Sequence, residues 1–203
     1  MHGKAGRDAG FEEKRRQILA AATRVFAKKG YTGTRVGDIA TEAGIAYGLI
    51  YHYFKNKEDI LNSLFQRTWS VTLKVIDQID HQGGTLRDKL RSIAGFLLEA
   101  WNLQPDLVEV VVVEVIRSPK FLEQPNLEAF HKTFELLERI LIDHQAEIRD
   151  GVEPRMAAVL FLGSLEILLT GFVSREFFNE SFSVESARDA VVDTFLSGIA
   201  IPT

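Results

Sequence analysis

Apolar side chains recur along this 203-residue chain at the three- and four-residue spacing of helices that bury one face. Ile18, Ala21, Ala22, Val25 and Phe26 share one stripe between Phe11 and Lys29. The stripe predicts a first helix, ended by Gly30 at the C′ position, where left-handed backbone costs glycine little. Thr34 is placed to cap a second helix whose inner residues are Val36, Ile39 and Ala40. Gly44 breaks that helix, and a short third one is predicted over Tyr47 to Tyr53. A fourth opens with Glu58 and Asp59 in its first turn, which suits the positive end of the helix dipole. It runs through Trp69 to about Ile79, where "HQGGT" stops it.

The rest of the chain also reads as helices. Leu86 to Trp101 is amphipathic, and Leu127, Phe130, Phe134, Leu137, Leu141 and Ile148 form one helical face. Pro154 suits the first turn of a further helix, and a last one covers Val184 to about Ile199. "DLVEVVVVEVIRS" favours strand by propensity; lacking a partner strand, it is assigned to a buried helix. The fold class expected is therefore all-α. "MAAVLFLGSLEILLTGFV" is nearly long enough to span a bilayer, but Glu166 stands in its middle. It is expected to be a helix covered by protein on most sides, with no membrane partner.

Composition changes the picture in two places. Residues 1–67 hold 12 Lys/Arg against 7 Asp/Glu, a net of +5, whereas residues 68–203 carry a net of −9. A small basic module thus precedes a larger acidic body, which points to an anionic partner for the first. The absence of cysteine excludes disulfides and thiolate chemistry and suits a reducing cytoplasm. Residues 1–10 are polar and lack the apolar stretch of a secretory signal, so they read as a disordered tail.

Helix, glycine turn and short helix make the helix-turn-helix arrangement, whose later helix enters the DNA major groove. The string "TGTRVGDIATEAGIAYGLIYHYFKNKEDIL" resembles the DNA-binding region of TetR-family transcriptional regulators in Thr34, Ile39, Ala40, Ala43, Gly44, Gly48, Tyr51, Tyr53, Phe54 and Lys57. The resemblance implies a three-helix helix-turn-helix domain over 11–57 and a helical ligand-binding and dimerisation domain over 58–203. It implies a cytoplasmic repressor that binds a palindromic double-stranded operator as a homodimer.

Helical geometry continues the core with Ile50, Tyr53 and Phe54 and turns Tyr51 outward, about 100° from Ile50. A phenol donates to phosphate oxygens, as His52 can, and Lys55 and Lys57 add charge; the resemblance assigns a phosphate contact to Tyr51. Thr34 and Arg35, at the start of the second helix, are further candidates. Base reading falls to the first turn of the third helix, Tyr47, Gly48 and Leu49. Here the chain departs from the family: Ala46 and Leu49 stand where hydroxyl residues are frequent, which leaves Leu49 an apolar contact with a thymine methyl.

The resemblance places a dimer interface on the last two long helices, where Ala157, Ser164 and Gly171 recur every seven residues and Leu160 and Leu168 supply bulk. Phe96, Trp101, Val108, Val112, Phe130, Phe134 and Phe161 are candidates to line a site for a hydrophobic effector, or equally plain core. "YHYFKNKEDILNSLF" and "EVIRSP" are similar to the FadR branch, which implies a long-chain acyl-CoA or fatty-acid effector, with Arg117 toward its anionic end. No cofactor is expected. A cationic or aromatic drug, as in regulators of efflux pumps, is the alternative, with Glu99, Glu114 or Glu166 as counter-charge. The five histidines have no metal-ligand spacing and no catalytic motif occurs, so neither a metal site nor an enzyme is expected.

Overall fold

The structure, a computed structural model, describes residues 2–115, 126–174 and 183–199. They form nine α-helices and no strand: α1 (His2–Gly33), α2 (Val36–Glu42), α3 (Tyr47–Ile50), α4 (Lys57–His81), α5 (Leu86–Leu103), α6 (Pro105–Val110), α7 (Asn126–Asp143), α8 (Pro154–Ser174) and α9 (Val184–Ile199). The polar stretch over residues 1–10, expected to be disordered, is helical from His2 as part of α1.

α1 is interrupted at Gly30, whose φ of 69° and ψ of 161° lie in a region open essentially to glycine alone. The expected cap of α2 is displaced by one residue. Thr34 turns its hydroxyl back to the Gly30 carbonyl at 2.8 Å. Arg35 takes the N-cap position, and its N–H donates to Asp38 Oδ2 at 2.9 Å. α3 is a single turn and stops before the expected Tyr53. α4 is capped by Asn56, whose side chain accepts from the Asp59 N–H at 2.8 Å.

α1, α2, α3 and the start of α4 close around Ile18, Phe26, Ile39, Ile50, Phe54 and Phe65, all buried. Tyr53, expected in this core, lies at its edge with its ring 4.7 Å from that of Phe11. The body packs α4 against α7, α5 against α9 and α7 against α8. Its core includes Ile76, Leu90, Leu98, Leu137, Phe161 and Leu196.

The valine run is helical, as expected, because tertiary packing overrides its propensity: Val108, Val110 and Val112 are all buried. Val110 reaches out of the body into the N-terminal core. After Val110 the helix widens into a π turn over Val111–Val115, which periodicity did not foretell. α7 ends at Asp143, so Ile148 lies beyond it, after a 3₁₀ turn, although it is still buried.

α8 is long and apolar enough to cross a bilayer by length and composition. It is not covered on most sides, as the sequence suggested: less than a third of its apolar window is buried within the chain. Met156, Val159, Leu160 and Ile167 lie open on its outer face.

Candidate DNA-binding site

α3 projects from the three-helix bundle on a turn in which Gly44 adopts a φ of 65°. The turn is held from behind by Gln17, whose side chain donates to the Ala43 carbonyl at 2.7 Å. Ile50 anchors the inner side of α3 with no exposure. Tyr47 and Tyr51, one turn apart, are 56% and 47% exposed on the outer side. Their hydroxyls lie 2.8 Å apart and their rings meet edge to face with centroids 5.4 Å apart. The Tyr47 hydrogen bond, with some burial and the nearby Tyr47 charge, pushes the Tyr51 phenol above its usual pKa. Tyr51 therefore stays protonated and able to donate to an anionic oxygen at neutral pH.

Gly48 is exposed between them, and a Cβ built there meets no atom within 4 Å. The surface over α3 is open to an incoming duplex. Leu49 is half-buried, while His52 and Lys55 are exposed beside Tyr51. Arg35 is likewise exposed, so its guanidinium is free to approach a phosphate.

Two of the expected contacts face inward instead. Thr34 is only 3% exposed, and its hydroxyl is engaged by the Gly30 carbonyl. Lys57 folds under the α1–α2 junction: its Nζ donates to the Tyr31 carbonyl at 2.6 Å and to the Thr34 carbonyl at 2.8 Å. The ammonium also sits 4.3 Å from the centre of the Tyr31 ring. Lys57 thus holds the segment that launches α2. Periodicity had no means of finding this, because the partners are backbone carbonyls more than twenty residues away.

Other supports were also missed. Arg15 on α1 donates to the Tyr53 carbonyl at 3.1 Å and to Ser63 Oγ at 2.8 Å, with its guanidinium 4.5 Å from the Phe54 ring centre. At the start of α2, Lys29 donates to Asp38 at 2.8 Å. That bond, followed by the Arg35 backbone N–H, holds the Asp38 carboxyl below its usual pKa. Glu114 reaches from the π turn to accept the Tyr31 N–H at 2.8 Å.

The residues proposed to line an effector site are not gathered into one cluster. Phe161 and Trp101 belong to the body core, Trp101 stacking on Phe172 at 6.4 Å between ring centres. Phe130 lies against the N-terminal core, edge-on to Trp69 at 5.7 Å and 4.7 Å from Phe134. Val108 and Val112 are buried on α6 and its π turn, and Phe96 is half-buried. Arg117 falls outside the described residues.

Of the expected dimer stripe, Ala157 and Gly171 face inward and are buried in the chain's own core side. Leu168 packs on that core, and Ser164 bonds back to the Phe161 carbonyl at 2.6 Å. Only Leu160, 61% exposed, is on the open face.

Comparison with known proteins converges on this architecture. Residues 18–64 match the family described as bacterial regulatory proteins, tetR family. The fatty acid metabolism regulator protein of Bacillus subtilis is 29% identical over 185 residues, covering 90% of this chain and 94% of that one. The fatty acid degradation regulator FadR of Bacillus halodurans superposes with a TM-score of 0.82 at 27% identity, over 91% of this chain and 95% of its own. FadR of B. subtilis, solved in complex with stearoyl-CoA, gives 0.80 at 29% identity over 90% and 98%. These relatives are regulators, not enzymes. Residues 18–64 thus carry the DNA-binding region of the tetR family, and over nine-tenths of its length the chain is similar to FadR-type regulators of fatty-acid metabolism.

Proposed function

We propose that this protein is a homodimeric, cytoplasmic repressor that leaves a palindromic operator when it binds long-chain acyl-CoA. The observation that carries the effector is its likeness, over 90% of its length, to a regulator solved with stearoyl-CoA. An acyl chain also suits the aromatic and aliphatic body, since a cavity lined by such groups favours an apolar ligand. The drug-responsive alternative needs an uncommitted acid in the body, and the described candidates are otherwise engaged or placed. Glu114 accepts the Tyr31 N–H, Glu99 accepts from Asn102 at 3.2 Å, and Glu166 is exposed on the outer side of α8.

Dimerisation is supported by α8. Met156, Leu160, Gly163 and Ile167 recur at four and three residues, the spacing of a helix–helix seam, and Met156, Leu160 and Ile167 are exposed. A Cβ at Gly163 would meet nothing within 4 Å, so a partner helix has room to approach there. One reader of a single turn contacts few base pairs, and pairing two across a two-fold axis supplies the rest.

The test is to enrich a duplex from a random-sequence pool with the purified protein, then titrate the complex with stearoyl-CoA, free CoA and tetraphenylphosphonium. A palindromic duplex released by stearoyl-CoA alone is the expected result. Release by the phosphonium cation instead would turn the reading to the drug-responsive class.

A further inference from the structure

We propose that Glu114 is the positioning residue that couples the body to the DNA reader, through its hydrogen bond to the Tyr31 N–H; this rests on the body being an effector domain. The junction between α1 and α2 is held from two sides. From the reader's own α4, Lys57 binds the carbonyls of Tyr31 and Thr34. From the body, Glu114 Oε1 accepts the Tyr31 N–H at 2.8 Å across 83 residues of sequence. A Cβ placed on Gly30 would lie 3.7 Å from the same oxygen, so the carboxylate is seated against the hinge glycine itself.

The element that carries Glu114 can exist in two registers. A π turn holds one residue more than an α turn, and such turns are local, strained and common at functional sites. Relaxing Val111–Val115 to an α turn rotates residues beyond Val110 by about 100° around the helix axis. Val110 is fixed in the N-terminal core, so Glu114 swings while its base stays in place. The bond to Tyr31 is then lost. The π turn also packs against α8, and α6 packs against α5 and α8, so the body's apolar helices bear directly on it. A ligand inserted among them shifts the turn, and the junction that launches α2 loses its support from the body.

The two peptide groups that flank the Tyr31 Cα are thus held, one by an anion from the body and the other by a cation from the reader, both in charge-assisted hydrogen bonds. With both in place the α2 entry is fixed, and α3 with it, since α2 and α3 pack together. The bonded arrangement is the DNA-competent one.

The experiment compares wild type with Glu114→Ala on the duplex enriched from the random pool. Three readouts are taken: exchange of the Tyr31 amide, duplex affinity without ligand, and the ratio of affinities without and with stearoyl-CoA. Expected for Glu114→Ala are faster exchange at Tyr31, duplex affinity lower by about tenfold, and a release ratio falling toward one, coupling of this kind being worth about 5- to 150-fold. Binding of stearoyl-CoA to the DNA-free protein tightens, because the ligand no longer has to break the Glu114–Tyr31 bond. Glu114→Gln keeps an acceptor oxygen and recovers most of the loss. Wild-type duplex affinity together with a wild-type release ratio in Glu114→Ala overturns the proposal. If stearoyl-CoA fails to release the wild-type protein, the effector reading falls, while amide exchange and ligand-free affinity still decide the role of Glu114. Should Glu114→Ala be too unstable to assay, Glu114→Ser, whose oxygen is too short to reach Tyr31, makes the same comparison.

Discussion

The ammonium of Lys57 donates to the carbonyl oxygen of Thr34 at 2.8 Å, tying the first residue of α4 to the segment that precedes α2. A second bond goes to the Tyr31 carbonyl. Lys57→Ala leaves both carbonyls without this donor and is expected to destabilise the protein by about 1–3 kcal/mol, the range for an orphaned, part-buried polar group. Duplex affinity falls as α2 loosens, but the dependence of affinity on salt does not change, because the charge neutralises no phosphate. Thermal melts and salt titrations of one variant check both halves; a salt slope lower by about one instead places this lysine on the DNA.

Lys55 and Tyr51 supply the contrast. Both are exposed beside α3. Lys55→Ala is expected to weaken binding to all sequences alike and to lower the salt slope by about one. Tyr51→Phe removes a neutral donor, costing about 1.5 kcal/mol if the phenol bonds a phosphate, with no change in slope. The hydroxyl of Tyr47 also loses, in that variant, the hydrogen bond it now shares.

Gly48→Leu tests the approach of the duplex itself. Since nothing lies within 4 Å of the added Cβ, the fold tolerates the side chain. On the open face of α3 a leucine then stands where the groove floor is expected. Operator binding should be abolished while the melting curve and subunit mass match wild type; retained affinity shows that this turn does not meet DNA.

Which parts were legible follows from how far each interaction reaches. The helices and the inward and outward sides of α3 follow from spacing alone, because helical periodicity is local. Ile50 and Phe54 are buried and Tyr51 is exposed, as expected. Tyr53 and Thr34 went astray for one reason: each is decided by a contact with α1. Tyr53 meets the Phe11 ring, and Thr34 meets the Gly30 carbonyl. The inward turn of Lys57 and the reach of Glu114 depend on backbone groups, which carry no residue-specific signal. Of the small-residue stripe on α8, Ala157 and Gly171 are buried within the single chain, because small residues pack against the chain's own core as readily as against a partner, and spacing alone does not separate the two.

The open side of α8 gives a test of assembly. Leu160 and Ile167 are 61% and 68% exposed in the single chain. Burying each against a partner stabilises by about 1.5–3 kcal/mol, and an aspartate there adds the cost of an unpaired buried charge. Leu160→Asp or Ile167→Asp is expected to yield a folded monomer by sedimentation, with operator affinity lost. A dimer persisting in both variants locates the interface elsewhere.

Glu166 makes that interface sensitive to pH. The side chain is exposed in the single chain, yet its surroundings on an apolar helix remove enough water to raise its pKa, and no charged partner opposes the rise. Pairing α8 with a second copy removes more water, so the carboxyl is more basic in the dimer than in the monomer. The sign follows from linkage: below both pKa values the group is neutral in each state and costs the dimer nothing. As pH climbs past the monomer value, the monomer ionises first and the penalty on the dimer grows, until its own carboxyl ionises and the penalty levels off at its full size. Association should therefore tighten as pH falls from neutrality toward the usual carboxylate range, and Glu166→Gln should flatten the profile while tightening the dimer at neutral pH. Sedimentation across that range, on both proteins, decides it: a Glu166→Gln dimer no tighter than wild type at neutral pH shows that this carboxylate remains in water when the subunits pair.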